Sequence, residues 1–191
     1  MATEALLVID VQQAFDDPSW GSRNNPDCER NVERLIDAFR ERGEAVVFVR
    51  HDSDEPGSTL APGHPGNAFK DVVKGEPDLL VTKSVNSAFL GDQDLDGWLK
   101  ERGIERVAVC GITTNHCCET TARMGGNLGY DVDFVLDATA AFAMTGPDGE
   151  TFDAETVYRM TAANLHDEFA TVVRTDDVIA RGAATPGARR D

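Results

Sequence analysis

Asp10, Lys83 and Cys117 each stand where an apolar run gives way to polar chain. Asp10 closes A-L-L-V-I-D, Lys83 closes L-L-V-T-K, and Cys117 follows V-A-V-C-G by six residues. An ionisable head at the end of a buried strand costs desolvation unless it meets partners. A carboxylate, an ammonium and a thiol gathered at one point supply a base, a fixed positive charge and a nucleophile. Each also has a plainer role when taken singly. Asp10 can cap the loop that follows it, Lys83 can be one more exposed lysine, and Cys117 can be a small packing residue.

Cys117 has a cysteine neighbour, Cys118, and helical phase separates the two. If Thr114 caps a helix, then Cys118, Thr121, Ala122, Gly125 and Leu128 form one stripe of small or apolar residues. Cys117 is turned about 100° from that stripe, toward the helix mouth. Backbone N–H groups and the positive end of the helix dipole favour a thiolate there. A nearby Lys83 would add to the effect, with Asp10 taking the thiol proton. Cys117 is thus the candidate nucleophile, expected to have a low pKa, and Cys118 the packing residue.

The elements that must position these groups alternate. Buried strands are expected over residues 5–10, 45–50, 79–82, 107–110, 132–136 and 170–173. Helices are expected over 28–42, 94–102, from 114 to Gly129, and 155–166. Two loops stand out: residues 51–66, rich in Gly, Pro and Ser, and residues 145–151, with the turn signal G-P-D-G. The alternation predicts one α/β domain over residues 1–181, a doubly wound, Rossmann-like parallel sheet of about six strands with helices on both faces. Ligands of such sheets bind at the carboxyl ends of the strands. Residues 182–191 are expected to form a mobile tail.

Composition narrows the partners. The chain has 191 residues, 34 acidic against 18 basic, for a formal charge of -16. That field repels nucleic acid and anionic membranes, so neither is an expected partner. No apolar run approaches the roughly 20 residues of a membrane span, and the N-terminus lacks a signal-peptide pattern. A reducing cytoplasm is the expected location. Cys28, Cys110, Cys117 and Cys118 have no zinc-binding spacing, which fits that compartment. The acidic surface fits either salt adaptation or ordinary solubility.

Longer motifs carry a resemblance. Gly111-Ile112-Thr113-Thr114-Asn115-His116-Cys117-Cys118-Glu119-Thr120-Thr121-Ala122 resembles the G-x-x-T-x-x-C-[VC]-x-x-T-A signature of isochorismatase-like cysteine hydrolases. Nicotinamidases, N-carbamoylsarcosine amidohydrolases and ureidoacrylate amidohydrolases belong to that superfamily. Residues 7–12 resemble its opening strand, residues 83–89 (K-S-V-N-S-A-F) its K-x-x-x-S-A-F segment, and residues 137–139 its D-A-T segment. The resemblance spans nearly the whole chain apart from the tail, in the family's order and spacing. It implies a catalytic triad of Asp10 (base), Lys83 (positive charge) and Cys117 (nucleophile). It also implies a cis peptide at Ile112–Thr113 and an oxyanion hole made by the backbone N–H groups of Thr113 and Cys117. Members commonly assemble, so a homo-oligomer, dimer or tetramer, is implied as well.

One segment departs from the family. Nicotinamidases bind a metal through a D-x-H-P-x-x-H-type cluster after the second strand. Here that region reads Arg50-His51-Asp52-Ser53-Asp54-Glu55-Pro56, with the next histidine at His64. The spacing predicts a polar loop with two solvated histidines, hence neither metal nor other cofactor, and points away from nicotinamidase. Isochorismatases proper cleave a vinyl ether without needing a cysteine, so Cys117 favours hydrolysis of a C–N bond. The expected substrate is a small amide, carbamoyl or ureido compound, with Phe15, Asn86, Phe89 and His116 as pocket candidates and Trp20 and Phe142 as packing residues. Two other readings stay open: hydrolysis of a different acyl or enol-ether bond, and a thiol redox or ligand-binding module on the same fold.

Overall fold

Near-continuous apolar runs form strands when both of their faces are covered, and alternate side chains then belong to different layers. A computed structural model describes residues 3–183 of the chain. In chain order the elements are β1 (Glu4–Ile9), α1 (Cys28–Glu41), β2 (Ala45–His51), β3 (Leu79–Lys83), α2 (Leu95–Glu101) and β4 (Arg106–Ile112). Then follow α3 (Glu119–Asn127), β5 (Asp131–Ala140), β6 (Met144–Thr145), β7 (Thr151–Phe152), α4 (Ala154–Leu165), β8 (Thr171–Val173) and α5 (Thr175–Ala183). Six strands form one parallel sheet in the order β3-β2-β1-β4-β5-β8. The expected doubly wound architecture is the observed one.

β1 lies near the middle and sorts its residues cleanly. Leu7 and Ile9 join Val47, Val49, Val107 and Val109 beneath α2, α3 and α4, whose Leu95, Leu99, Ala122 and Leu165 complete that layer. Leu6 and Val8 face the other way with Val46, Phe48, Ala108 and Cys110, covered by Val32, Leu35, Ile36 and Phe39 of α1 and Val178 of α5. Fully burying one such aliphatic side chain stabilises the fold by about 1.5–3 kcal/mol. Among the described residues, no helix is long and apolar enough to cross a membrane.

The structure departs from the sequence reading in four places. β5 runs to Ala140 because its pairing with β4 jumps from Val109–Phe134 to Gly111–Thr139, a bulge that absorbs extra residues without ending the strand. Asp137 therefore lies within β5, not after it, and accepts from the Thr175 N–H (2.7 Å) and hydroxyl (2.8 Å). The loop at 145–151 is the tip of a short antiparallel hairpin, β6 paired with β7. α5 occupies residues where the sequence pattern places the end of the domain and the start of the tail. It is held by Val178 in the core and by Arg181 on the buried carboxylate of Asp133. Of the expected tail, Gly182 and Ala183 end this helix and the remainder lies outside the described residues. Finally, the chain enters α3 through a wide π-helical turn, Thr114–Cys118. Thr114 does not cap it: its hydroxyl donates to Thr139 Oγ1 at 2.9 Å, tying the turn to β5.

Candidate active site

The strand order sets four neighbouring carboxyl ends side by side. β3 ends in Lys83, β2 in His51, β1 runs into Asp10, and β4 runs into the turn that carries Cys117. Asp10 adopts a left-handed backbone, φ +50°, and its N–H donates to Val49 O at 2.9 Å. Few residues hold that conformation readily, and aspartate is among them. On β4, Gly111 (φ +126°) is placed so that a Cβ would lie 2.0 Å from Ile9 O, so only glycine lets β4 run this close to β1. The Ile112–Thr113 peptide that follows is cis.

Asp10, Lys83 and Cys117 come together at this edge. Lys83 Nζ donates to Asp10 Oδ2 at 2.7 Å and to Cys117 Sγ at 3.4 Å. Its third contact is His51 Nδ1 at 3.1 Å. Both ends of the Lys83–Asp10 pair are almost wholly removed from solvent. Among the described residues, Asp10 Oδ1 is buried with no partner, and so is the Thr113 hydroxyl. Buried polar atoms are nearly always paired, so two orphans in one site mark groups held ready for a ligand or a proton. Cys117 Sγ also lies 3.8 Å from Asn86 Oδ1.

Burial pushes the Cys117 thiol up from its ordinary range, the Asp10 carboxylate pushes it further, and Lys83 only partly opposes them. This corrects the expected low-pKa thiolate. One ammonium faces two potential anions, and the carboxylate holds it at the shorter distance, so the resting site is carboxylate, ammonium and neutral thiol. Burial alone would lower the Lys83 pKa, but Asp10 and Cys117 raise it, so the ammonium keeps its charge. Cys118 is fully buried beneath the sheet-facing side of the turn, with its thiol pushed up by burial.

A cavity of about 180 Å³ opens over the thiol. Phe15, Asn86 and His116 line it, as do Thr113 and Cys117. Phe89 does not: its ring stacks on Tyr130 at 5.7 Å and it packs into the layer beneath α2 and α3. Trp20, expected to be a packing residue, lines the cavity, and so does Leu60 from the long loop after β2. Trp20 packs 4.8 Å from Phe15 and 5.5 Å from Phe142 (ring centroids), and with Phe142 and Met144 it walls an adjoining lobe of about 120 Å³. Burial lowers the His116 pKa, leaving that ring neutral. Among the described residues that line the cavity, Asp10, already paired with Lys83, is the charged group. Two roomier clefts, of about 310 and 540 Å³, lie away from the triad, beside Trp98 and Tyr130, and none of the described residues lining them is a cysteine.

His51 and Gln12 belong to the site, and sequence reasoning missed both. The Gln12 side chain is fully buried and grips His51 like a strand partner. Its Oε1 accepts from the His51 N–H (2.9 Å), and its Nε2 donates to His51 O (3.1 Å) and Asn67 O (2.8 Å). The expectation of two solvated histidines therefore fails for His51. His64 instead accepts from Gly66 N–H through Nδ1, closing a turn. Asp52, which follows His51 where nicotinamidases carry their metal ligands, is bound by Arg50 at 2.8 and 3.0 Å and by Asn67 at 2.9 Å. Those residues do not fit a metal. Asp10, His51 and Cys117 do offer three ligand atoms within 4.8 Å of one another, but the Lys83 ammonium contacts all three.

Residues 4–177 match the family model of the isochorismatase domain. The chain is 44% identical over 177 residues to YrdC, an isochorismatase family protein of Bacillus subtilis, covering 92% of this chain and 94% of that one. It is 32% identical over 186 residues to nicotinamidase 3 of Arabidopsis thaliana, covering 90% and 85% of the two chains. Among solved structures, a hydrolase of the isochorismatase family from Chromobacterium violaceum superposes with a TM-score of 0.90 at 40% identity, covering 95% of this chain and 94% of that one.

Proposed function

The chain belongs to the isochorismatase family, and from that premise we propose that it is a cysteine hydrolase that cleaves a C–N bond in a small, uncharged amide, carbamoyl or ureido compound. The observation that carries the reading is the buried Oδ1 of Asp10, without a hydrogen-bond partner among the described residues, in the same site as the Cys117 thiol, with Lys83 Nζ touching both residues. Asp10 takes the Cys117 proton as Sγ attacks the carbonyl carbon, so the thiolate exists only as the bond forms. Lys83 offsets the charge on sulfur. The N–H groups of Thr113 and Cys117 face the developing oxyanion. The intermediate then expels the amine, which carries away the proton held by Asp10, and leaves a thioester on Cys117. Asp10 deprotonates a water that cleaves the thioester, freeing the acid and restoring the thiol.

The substrate class follows from the cavity. It is small, Phe15, Trp20 and Leu60 face Asn86, Thr113 and His116 across it, and among the described residues it presents no unpaired cation to a carboxylate or phosphate. Similarity to a nicotinamidase supports C–N cleavage, while the commitment of Asp52 and His64 to other partners argues for a route without their metal cluster. In this reading the protein works on a small molecule in a reducing cytoplasm, where its four free cysteines persist, and assembles as a dimer or tetramer. Light scattering after size exclusion measures the assembly. Screening amides and ureido compounds for ammonia or amine release tests the chemistry. Turnover is expected to vanish in Cys117→Ala and persist in Cys118→Ala, with a trapped acyl mass on the Cys117 peptide of the wild type. Activity in well-folded Cys117→Ala overturns the assignment.

A further inference from the structure

The hydrolytic reading gives tasks to Asp10, Lys83 and Cys117 and none to His51. Yet the Lys83 ammonium has three protons and three acceptors: Asp10 Oδ2 at 2.7 Å, His51 Nδ1 at 3.1 Å and Cys117 Sγ at 3.4 Å. His51 stands opposite Lys83 in the β2–β3 register. Gln12 clamps its main chain from both sides, and Asn67 Nδ2 adds a bond to its carbonyl at 3.1 Å. We propose that His51 is a positioning residue: by accepting one Lys83 proton at Nδ1 it fixes the ammonium between carboxylate and thiol, and its own protonation releases that hold and turns the site off. The inference rests on the hydrolytic reading only for its consequence in turnover.

The reasoning is one of donor counting. A buried ammonium with two acceptors leaves a proton unpaired, or swings toward the carboxylate, its stronger partner, and away from sulfur. An acceptor on the far side prevents the swing. Acceptance at Nδ1 requires a neutral ring with its proton on Nε2. His51 lines the cavity, and among the described residues Nε2 has no hydrogen-bond partner in the protein. An imidazolium has only donors, so protonation would set two cations against each other. The charged or titratable groups around the ring are Lys83 on β3, Asp10 after β1, and Asp52 and Asp54 in its own loop. Cys117, in the turn after β4, shares the same ammonium. Burial and Lys83 lower the His51 pKa, and the three carboxylates oppose them without prevailing. The competent, neutral ring is therefore present at neutral pH and lost as pH falls below the ordinary imidazole range, about 6.5.

Histidine NMR reads this without any substrate. The chain has four histidines, and His51→Asn assigns the signal. The expected result is a neutral ring protonated on Nε2 whose titration lies below the ordinary imidazole midpoint and moves upward in Lys83→Met. Turnover gives the second readout. His51→Leu, checked for folding by circular dichroism, is expected to lose at least about tenfold in kcat/KM at neutral pH, as for one charged hydrogen bond, with the gap to the wild type narrowing as pH falls and the wild-type ring protonates. His51→Asn, whose Oδ1 can take the acceptor place of Nδ1, is expected to recover most of that loss and to lack the acid limb set by His51. A ring protonated on Nδ1, an ordinary midpoint with Lys83 present, or His51→Leu matching the wild type across pH overturns the proposal. If the NMR result is as expected and no amide is turned over, the hydrolytic reading fails while the His51–Lys83 link stands.

Discussion

At the scale of single residues, the site is a problem of too few charges for its anions. One ammonium serves a carboxylate and a thiol, both almost dry, and burial with the Asp10 carboxylate pushes the thiol up, so in the proposed mechanism the thiol keeps its proton until a carbonyl arrives. Alkylation tests this. Cys117 is expected to react with iodoacetamide more slowly at pH 7 than a free cysteine does, with the rate rising as pH climbs through the alkaline range. Cys28, Cys110 and Cys118, fully buried, are expected to stay unlabelled in the native protein. A fast reaction at pH 6–7, followed by peptide mass spectrometry, would mean the thiolate exists at rest. Variants at Lys83 need care here, because removing one partner of a buried pair costs about 3–5 kcal/mol through the charge left behind. The ends of three apolar runs were legible as candidate chemistry because buried ionisable heads need partners. His51 was not, because its place depends on β2 lying between β1 and β3, and nothing in R-H-D encodes that neighbourhood. Phe89 misled for the opposite reason: it is close to Lys83 in sequence, yet the chain turns it beneath α3, where its ring lies against Gly125 and stacks on Tyr130.

At the scale of elements, the segment after β1 brings Phe15 and Trp20 over the thiol, and ion pairs hold it there. Lys70 bridges Asp16 of that segment and Glu29 of α1, and Glu29 also pairs with Arg23. Burial alone would raise the Glu29 pKa, but Arg23 and Lys70 outweigh it and hold the carboxyl at about 2. A depressed carboxylate stabilises the fold above its ordinary pKa, and that contribution disappears as pH falls from about 4.5 toward 2. Glu29→Gln is therefore expected to lose about 1–2 kcal/mol at pH 7, since the group is partly exposed, and to converge with the wild type near pH 2. Urea denaturation at both pH values measures it, and a raised KM would report the loosened cavity wall. The strands were legible because burial on both faces makes them uniformly apolar. α5 was not: its anchorage rests on Val178 and Ile179 and on polar ties from Thr175 to Asp137 and from Arg181 to Asp133, too few apolar positions for a helical stripe. The bulge in β5 and the wide turn into α3 are likewise settled by contacts between strands, not by local propensity.

At the scale of the whole molecule, a charge of -16 surrounds a cavity whose own charges are paired. Self-repulsion works against the compact state and is screened by salt, whereas capture of an uncharged amide has no long-range field to lose. Raising NaCl from about 0.05 to 0.5 M is expected to lift the melting temperature by about 2–4 °C, the equivalent of roughly 1 kcal/mol for a chain of this size. kcat/KM for a neutral substrate should stay level. A melting temperature indifferent to salt would mean that the acidic surface is already compensated. The position of Lys83 has one more consequence, for how the protein comes into being. Its partner Asp10 lies 73 residues away and the thiol it touches 34 residues away, on separate strands. That positive charge is a side chain of the fold itself, so it reaches the carboxylate only once β3 has paired with β2 and β2 with β1. Its arrival therefore reports completion of this half of the sheet, and a folding probe on Lys83 would read the last strand into place.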